Sequence, residues 1–186
     1  MTEVKRSIRA GWVIAAVLGG LLIINGGAAV RDCQSLRPVH EGEEAPDFSI
    51  PSIAASGELG PSFRLSDAKG DIIVLDFWAT WCGPCKASMP VLNGIAQTYA
   101  DRGVRVVSVN TEGTSAAQNA RRMANRLAPS VELVSDTGIA SSLYKVNTIP
   151  HMLIVDREGT VRWVHRGMGT TAQLRNDLKR AIEALL

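Results

Sequence analysis

Two cysteines two residues apart, Cys82 and Cys85, enclose Gly83-Pro84 and follow Trp81. Paired thiols at this spacing can exchange with a disulfide: one attacks, and its neighbour resolves the mixed disulfide. Upstream, Asp71–Trp78 is dense in β-branched and aromatic residues and reads as a buried strand. Downstream, Lys86–Ala96 reads as a helix. The unpaired N–H groups and dipole of a helix start favour a thiolate over a thiol. Cys82 precedes the helix, where its sulfur is expected to face solvent, and is the candidate nucleophile. Cys85, one helical turn along, is the candidate resolving thiol. Pro84 suits the first helical turn, where its missing N–H was unpaired anyway. A single Cys-x-x-Cys with no second pair is half a zinc site at most, so the spacing favours redox use, and no metal or other cofactor is expected.

The elements that must position this pair lie in a chain of 186 residues, enough for one globular domain and an appendage. The formal net charge is +2 and dispersed, which argues against a nucleic-acid surface. Lys5, Arg6 and Arg9 precede a stretch from Ala10 to Val30 without a charged residue. As a helix that stretch spans about 31 Å, the hydrocarbon thickness of a bilayer. The basic residues before it keep residues 1–9 in the cytoplasm, so the rest of the chain is expected outside. Gly27-Ala28-Ala29 leaves a cleavable signal peptide open, but the length favours an anchor. Cys33 is the odd cysteine. The charged residues before it do not resemble a lipidation signal, and it reads as a bystander near the membrane. Residues 31–44 read as a polar tether, and the domain is expected to span 45–186.

Within the domain, Phe48 and Ile50 mark a short strand, Ser52–Pro61 a loop, Phe63–Leu65 a second strand and Asp67–Gly70 a turn. Val104–Asn110 is a core strand. Ser115 with Gln118 fits a capping box for a helix from 116 to 127, which Pro129 follows. Glu132–Val134 is a short strand, and Asp136 caps a short helix through 139–144. Met152–Asp156 and Val161–His165 form a hairpin across Arg157-Glu158-Gly159. Thr170 with Gln173 opens the last helix, whose Leu174, Leu178, Ile182 and Leu185 share one face. The order predicts an α/β fold with a mixed sheet and helices on both faces. Pro90 is expected to kink the first helix. Asp76 stands in an otherwise apolar strand, so burial should raise its pKa toward neutrality. Its alternative is a carboxylate hydrogen-bonded for structure.

Val74–Lys86 resembles the thioredoxin active-site stretch almost residue for residue, and Thr148-Ile149-Pro150 is similar to the segment that carries that superfamily's cis-proline. Ala45–Phe48 and Leu65-Ser66-Asp67 resemble its TlpA/ResA/DsbE-like branch, whose members are tethered to membranes and work outside the cytoplasm. The resemblance implies a thioredoxin fold with an N-terminal strand extension. It implies that Gly83-Pro84 suits a reductant, that Asp76 helps deprotonate Cys85, and that Pro150 is cis. The Ile149 backbone is then expected to pair with a substrate strand. Trp81 shields the disulfide and contacts partners, while Trp78 packs in the core. Lys86 either adds positive charge near the thiolate or is a solvated surface residue. Two departures stand out: His151 replaces the usual threonine after the cis-proline, and Ser88 stands where some relatives carry a glutamate.

The resemblance thus implies an oxidoreductase at the periplasmic side of a bacterial cytoplasmic membrane. It would reduce disulfides of a client such as apocytochrome c and be recharged by a DsbD/CcdA-type carrier. Two other readings are open: a disulfide-forming oxidase, separated by its reduction potential, and a copper chaperone binding through Cys82, Cys85 and His151.

Overall fold

The computed structural model describes residues 37–167 and 169–186. The segments expected as cytoplasmic terminus and membrane anchor, 1–9 and 10–30, lie outside the described residues, as does Cys33. Among the described residues no helix is long and apolar enough to cross a membrane. Their elements are β1 (Ser49–Ile53), β2 (Leu59–Arg64), β3 (Ile72–Trp78), α1 (Gly83–Tyr99), β4 (Val104–Asn110), α2 (Ala117–Leu127), β5 (Glu132–Ser135), α3 (Ile139–Leu143), β6 (His151–Val155), β7 (Val161–Arg166) and α4 (Thr171–Glu183). This is the order expected from the sequence.

The strands form one mixed sheet in the order β2-β1-β5-β4-β3-β6-β7. β3 is central: it runs parallel to β4 and antiparallel to β6. All seven of its residues are buried, which explains the continuous apolar run. Strand alternation divides its side chains between two cores. Ile72, Val74 and Trp78 join a cluster with Cys85, Met89 and Leu92 of α1, Ala120 of α2, and Leu174, Leu178 and Ile182 of α4. Ile73, Leu75 and Phe77 face the other cluster, with Phe48, Tyr144 and Leu153. The period puts Asp76 on the α1 side, between Val74 and Trp78.

Several boundaries differ from those expected. The loop between the first two strands is shorter than 52–61, because β1 continues to Ile53 and β2 begins at Leu59. Antiparallel pairing of Ile50 with Phe63 and Pro51 with Ser62 carries these polar, proline-bearing residues into the sheet, on its edge. Phe63-Arg64 ends that strand, and Leu65–Ala68 forms a 3-10 turn. Ser115 does not cap α2: a 3-10 turn over Thr114–Ala116 leads into it, and no side chain caps its start. Asp136 does hold α3, accepting the N–H groups of Ala140 and Ser141 at 2.9 Å. α1 continues through Pro90 to Tyr99 as one helix.

Thr170 caps α4, its hydroxyl oxygen accepting the Gln173 N–H at 3.2 Å. Thr170→Ala is expected to lower stability by about 1 kcal/mol, read from the urea midpoint at unchanged slope.

The domain begins earlier than Ala45. Val39 is buried, and residues 38–45 run along the free edge of β7 instead of forming the outer part of a tether. Gly42 N–H donates to Val161 O at 2.7 Å, Val161 N–H to Glu43 O at 2.8 Å, and Val164 N–H to Glu41 Oε1 at 3.1 Å. Arg166 Nη2 donates to Val39 O at 2.8 Å. Apolar periodicity gave no hint of this, because polar bonds, several of them between backbone groups, hold the segment.

Candidate active site

β3 ends at Trp78, and four residues later the chain enters α1, so Cys82 stands at the N-cap of that helix. Cys82 and Cys85 are joined as a disulfide, with Cα atoms 5.3 Å apart. The Cys85 N–H donates to Cys82 Sγ at 3.2 Å, which directs one of the unpaired helix-start amides at that sulfur. Pro84 lies in the first turn, as expected. Cys82 is 4% exposed and Cys85 0%. The outward sulfur expected at Cys82 is therefore largely turned in while the bond to Cys85 is closed, though Cys82 remains the outer of the two. Trp81, 71% exposed, stands beside it on the surface. Trp78 is fully buried in the α1-side core.

Asp76 is fully buried on the face of β3 that packs on α1. Ser108 Oγ donates to its Oδ2 at 3.4 Å, and its Oδ1 has no hydrogen-bond partner. Burial pushes its carboxyl up to about 7, with the Ser108 bond opposing only part of that rise. A carboxyl held there can give or take a proton near neutrality.

The Ile149–Pro150 peptide bond is cis, as expected. Pro84, Ala87, Ser88, Pro150, Met152 and His165 line a cleft alongside the disulfide. Ser88 is buried and donates its hydroxyl to Cys85 O at 2.8 Å, so this departure becomes a helix-backbone contact. His151 is a core histidine, 2% exposed, with its ring edge-on to Phe77 at 5.9 Å. Burial holds its imidazole down at about 4, and the charges of Arg166 and His165 add to this. Among the described residues no three His, Cys, Asp or Glu side chains are grouped to hold a metal, and in the disulfide form Cys82 and Cys85 offer no thiolate to one.

One part of the site escaped sequence reasoning. Glu112, just past β4, accepts the Thr80 N–H at 2.6 Å and the Thr80 hydroxyl at 2.9 Å. Asn110 Nδ2 donates to the same carboxylate at 3.0 Å, and Asn119 Nδ2 to Thr80 Oγ1 at 3.4 Å. These bonds fasten the loop that carries Trp81 and Cys82. Polar Asn110 and Glu112 at the carboxyl end of the strand beside β3 were the available signal, since sites gather at that end of parallel strands. Glu112→Ala is expected to cost about 1–2 kcal/mol by leaving Thr80 N–H and Asn110 without their partner, measured by chemical denaturation of the oxidised protein.

Comparison with known proteins agrees with this geometry. The thioredoxin-like protein YneN of Bacillus subtilis is 32% identical over 141 residues, covering 75% of this chain and 79% of that protein. The thiol-disulfide oxidoreductase ResA of Oceanobacillus iheyensis is 30% identical over 134 residues, covering 72% and 68%. A Chlorobium tepidum structure described as a candidate thiol:disulfide interchange protein DsbE superposes with a TM-score of 0.69 at 30% identity, covering 79% of this chain and 98% of that one. The mixed sheet is thus a thioredoxin fold. With the AhpC/TSA pattern matching residues 42–164 on top of that fold and its helix-capping disulfide, the chain belongs to the thioredoxin-like AhpC/TSA family.

Proposed function

We propose that this protein is a thiol–disulfide oxidoreductase that reduces disulfides of other proteins outside the cytoplasm. The observation that carries the reading is the Cys82–Cys85 disulfide at the start of α1, with the Asp76 carboxyl buried on the helix side of β3. Thiol–disulfide exchange by ResA- and DsbE-named relatives supports it.

In the dithiol form, Cys82 thiolate attacks one sulfur of the client disulfide, and the client's other sulfur leaves as a thiolate. Asp76 takes the proton of Cys85, directly or through water. The Cys85 thiolate then attacks Cys82 Sγ, and the second client sulfur departs. Two electrons pass to the client, and the protein is left with the disulfide described above. Gly83-Pro84 shapes the helix start, Trp81 offers an exposed aromatic surface to the client, and the Ile149 backbone beside cis-Pro150 receives its extended chain. Another dithiol must then restore the pair. The apolar stretch 10–30 after Lys5, Arg6 and Arg9 supports a membrane anchor and a DsbD/CcdA-type membrane donor. Apocytochrome c, with its paired cysteines, is a fitting client.

The test is reduction of insulin by the full chain in detergent, together with its reduction potential. Turnover with a potential near or below that of thioredoxin, about −270 mV, supports the reductant. A potential near −120 mV would make the protein an oxidase instead.

A further inference from the structure

On the other side of cis-Pro150 from the disulfide lies a second cleft of about 300 Å³. Its walls are Pro38, Lys145, Asn147, Thr148, His151, Arg166 and Gly167. Gly167 belongs to both clefts, and its N–H donates to Pro150 O at 2.8 Å. The second cleft therefore begins where the loop expected to receive a client strand ends.

Its lining is one-sided. It holds two cations, an amide, a hydroxyl and an imidazole, and no carboxylate. Neither Lys145 nor Arg166 is in an ion pair with a carboxylate among the described residues. The neighbouring 38–45 segment carries Glu41, Glu43 and Glu44, none of which lines the cleft; Glu41 uses Oε1 on the Val164 N–H and Glu43 uses Oε2 on the His40 N–H. His151 is almost wholly buried behind the wall, and its Nε2, which has no hydrogen-bond partner, is enclosed there. Lys145 is the single non-glycine residue at positive φ, 51°, among the described residues. That conformation closes α3, with the Lys145 N–H donating to Ser142 O at 3.3 Å and the Val146 N–H to Ser141 O at 2.9 Å.

We propose that this cleft is a subsite for a carboxylate side chain of the polypeptide whose disulfide is exchanged at Cys82. Lys145 and Arg166 supply the charge, and Asn147 and Thr148 the hydrogen-bonding wall. A client strand lying along Ile149 would project an Asp or Glu into it. The inference rests on the exchange reading above and adds a sequence preference to it.

The test uses full-length protein in detergent and a set of disulfide-linked peptides. A Glu is moved through the positions on both sides of the cysteine, and each peptide has a Gln twin. At one position the Glu peptide is expected to give a kcat/KM about five- to tenfold above its twin at low salt, carried by KM. The preference should fall below about twofold at 0.5 M salt. It should fall equally in Lys145→Asn, a residue that tolerates positive φ, and in Arg166→Gln, with turnover of the Gln peptides unchanged.

Equal rates on every Glu and Gln pair, from a protein that does turn the peptides over, would overturn the subsite alone. No turnover on any peptide would overturn the exchange reading with it. A preference that survives both substitutions would also reject the cleft. So would binding to phosphatidylglycerol vesicles that the substitutions abolish without any peptide preference, since the cleft would then serve a membrane surface.

Discussion

Asp76→Asn is expected to make the protein more stable above neutral pH while slowing its chemistry. Burial raises this carboxyl from an ordinary 3.8 to about 7. Below about pH 4 the group is protonated in both folded and unfolded chains and contributes no pH dependence. Between about 4 and 7 the unfolded chain gives up the proton first, so stability falls as pH rises. Above about 7 the whole cost of the buried charge remains, on the order of 4 kcal/mol. Asparagine removes the charge and can keep the contact with Ser108, but it still leaves one polar atom without a partner. The net gain at pH 8 should be about 2 kcal/mol, or roughly 5 °C in Tm, and close to zero at pH 4. Melting curves of the oxidised wild-type and variant proteins across this range measure it. Parallel curves would mean that the carboxyl does not titrate there.

The same substitution should slow release of the client from the mixed disulfide by on the order of 100-fold near neutral pH, the usual contribution of a placed proton acceptor. Stopped-flow decay of a preformed mixed disulfide isolates that step. Stability and rate thus move in opposite directions, which a purely structural carboxylate would not produce.

Cys82→Ser is expected to abolish insulin reduction, by on the order of 1,000-fold or more, because a serine hydroxyl at neutral pH is neither ionised nor able to form the covalent intermediate. Cys85→Ala should behave differently. Attack at Cys82 survives, resolution does not, and a covalent client adduct accumulates that mass spectrometry detects. The assignment follows from position: Cys82 is the outer sulfur and receives the Cys85 N–H, whereas Cys85 is wholly enclosed by the α1-side core. Adducts on Cys82→Ala with none on Cys85→Ala would exchange the two roles.

How much of this could be read from the sequence depended on the kind of force involved. β3 and the start of α1 were legible because apolar runs, a Cys-x-x-Cys and a first-turn proline each have a local physical meaning. Asp76 was legible as an anomaly, a charge in a strand whose other residues are hydrophobic. The fastening of Thr80 by Glu112 was not, because the partners are 32 residues apart and meet only through the pairing of β3 with β4. The β1–β2 hairpin was underestimated for a related reason: Gly60 and Pro61 are loop residues by propensity, and the edge strand β2 tolerates them. Ser115 with Gln118 had the letters of a capping box, but a 3-10 turn took that place. His151 stood out in the sequence only as a departure, and its burial follows from pairing opposite Phe77 in the sheet.

The backbone bonds between residues 38–45 and β7 bear on how a soluble fragment should be cut. A fragment begun at Ala45, where hydrophobic patterning suggests the domain starts, would strip the outermost strand and leave its N–H and C=O groups free to recruit another copy. One begun at Pro38 keeps that flank clothed and should stay monodisperse at concentrations where the shorter piece precipitates.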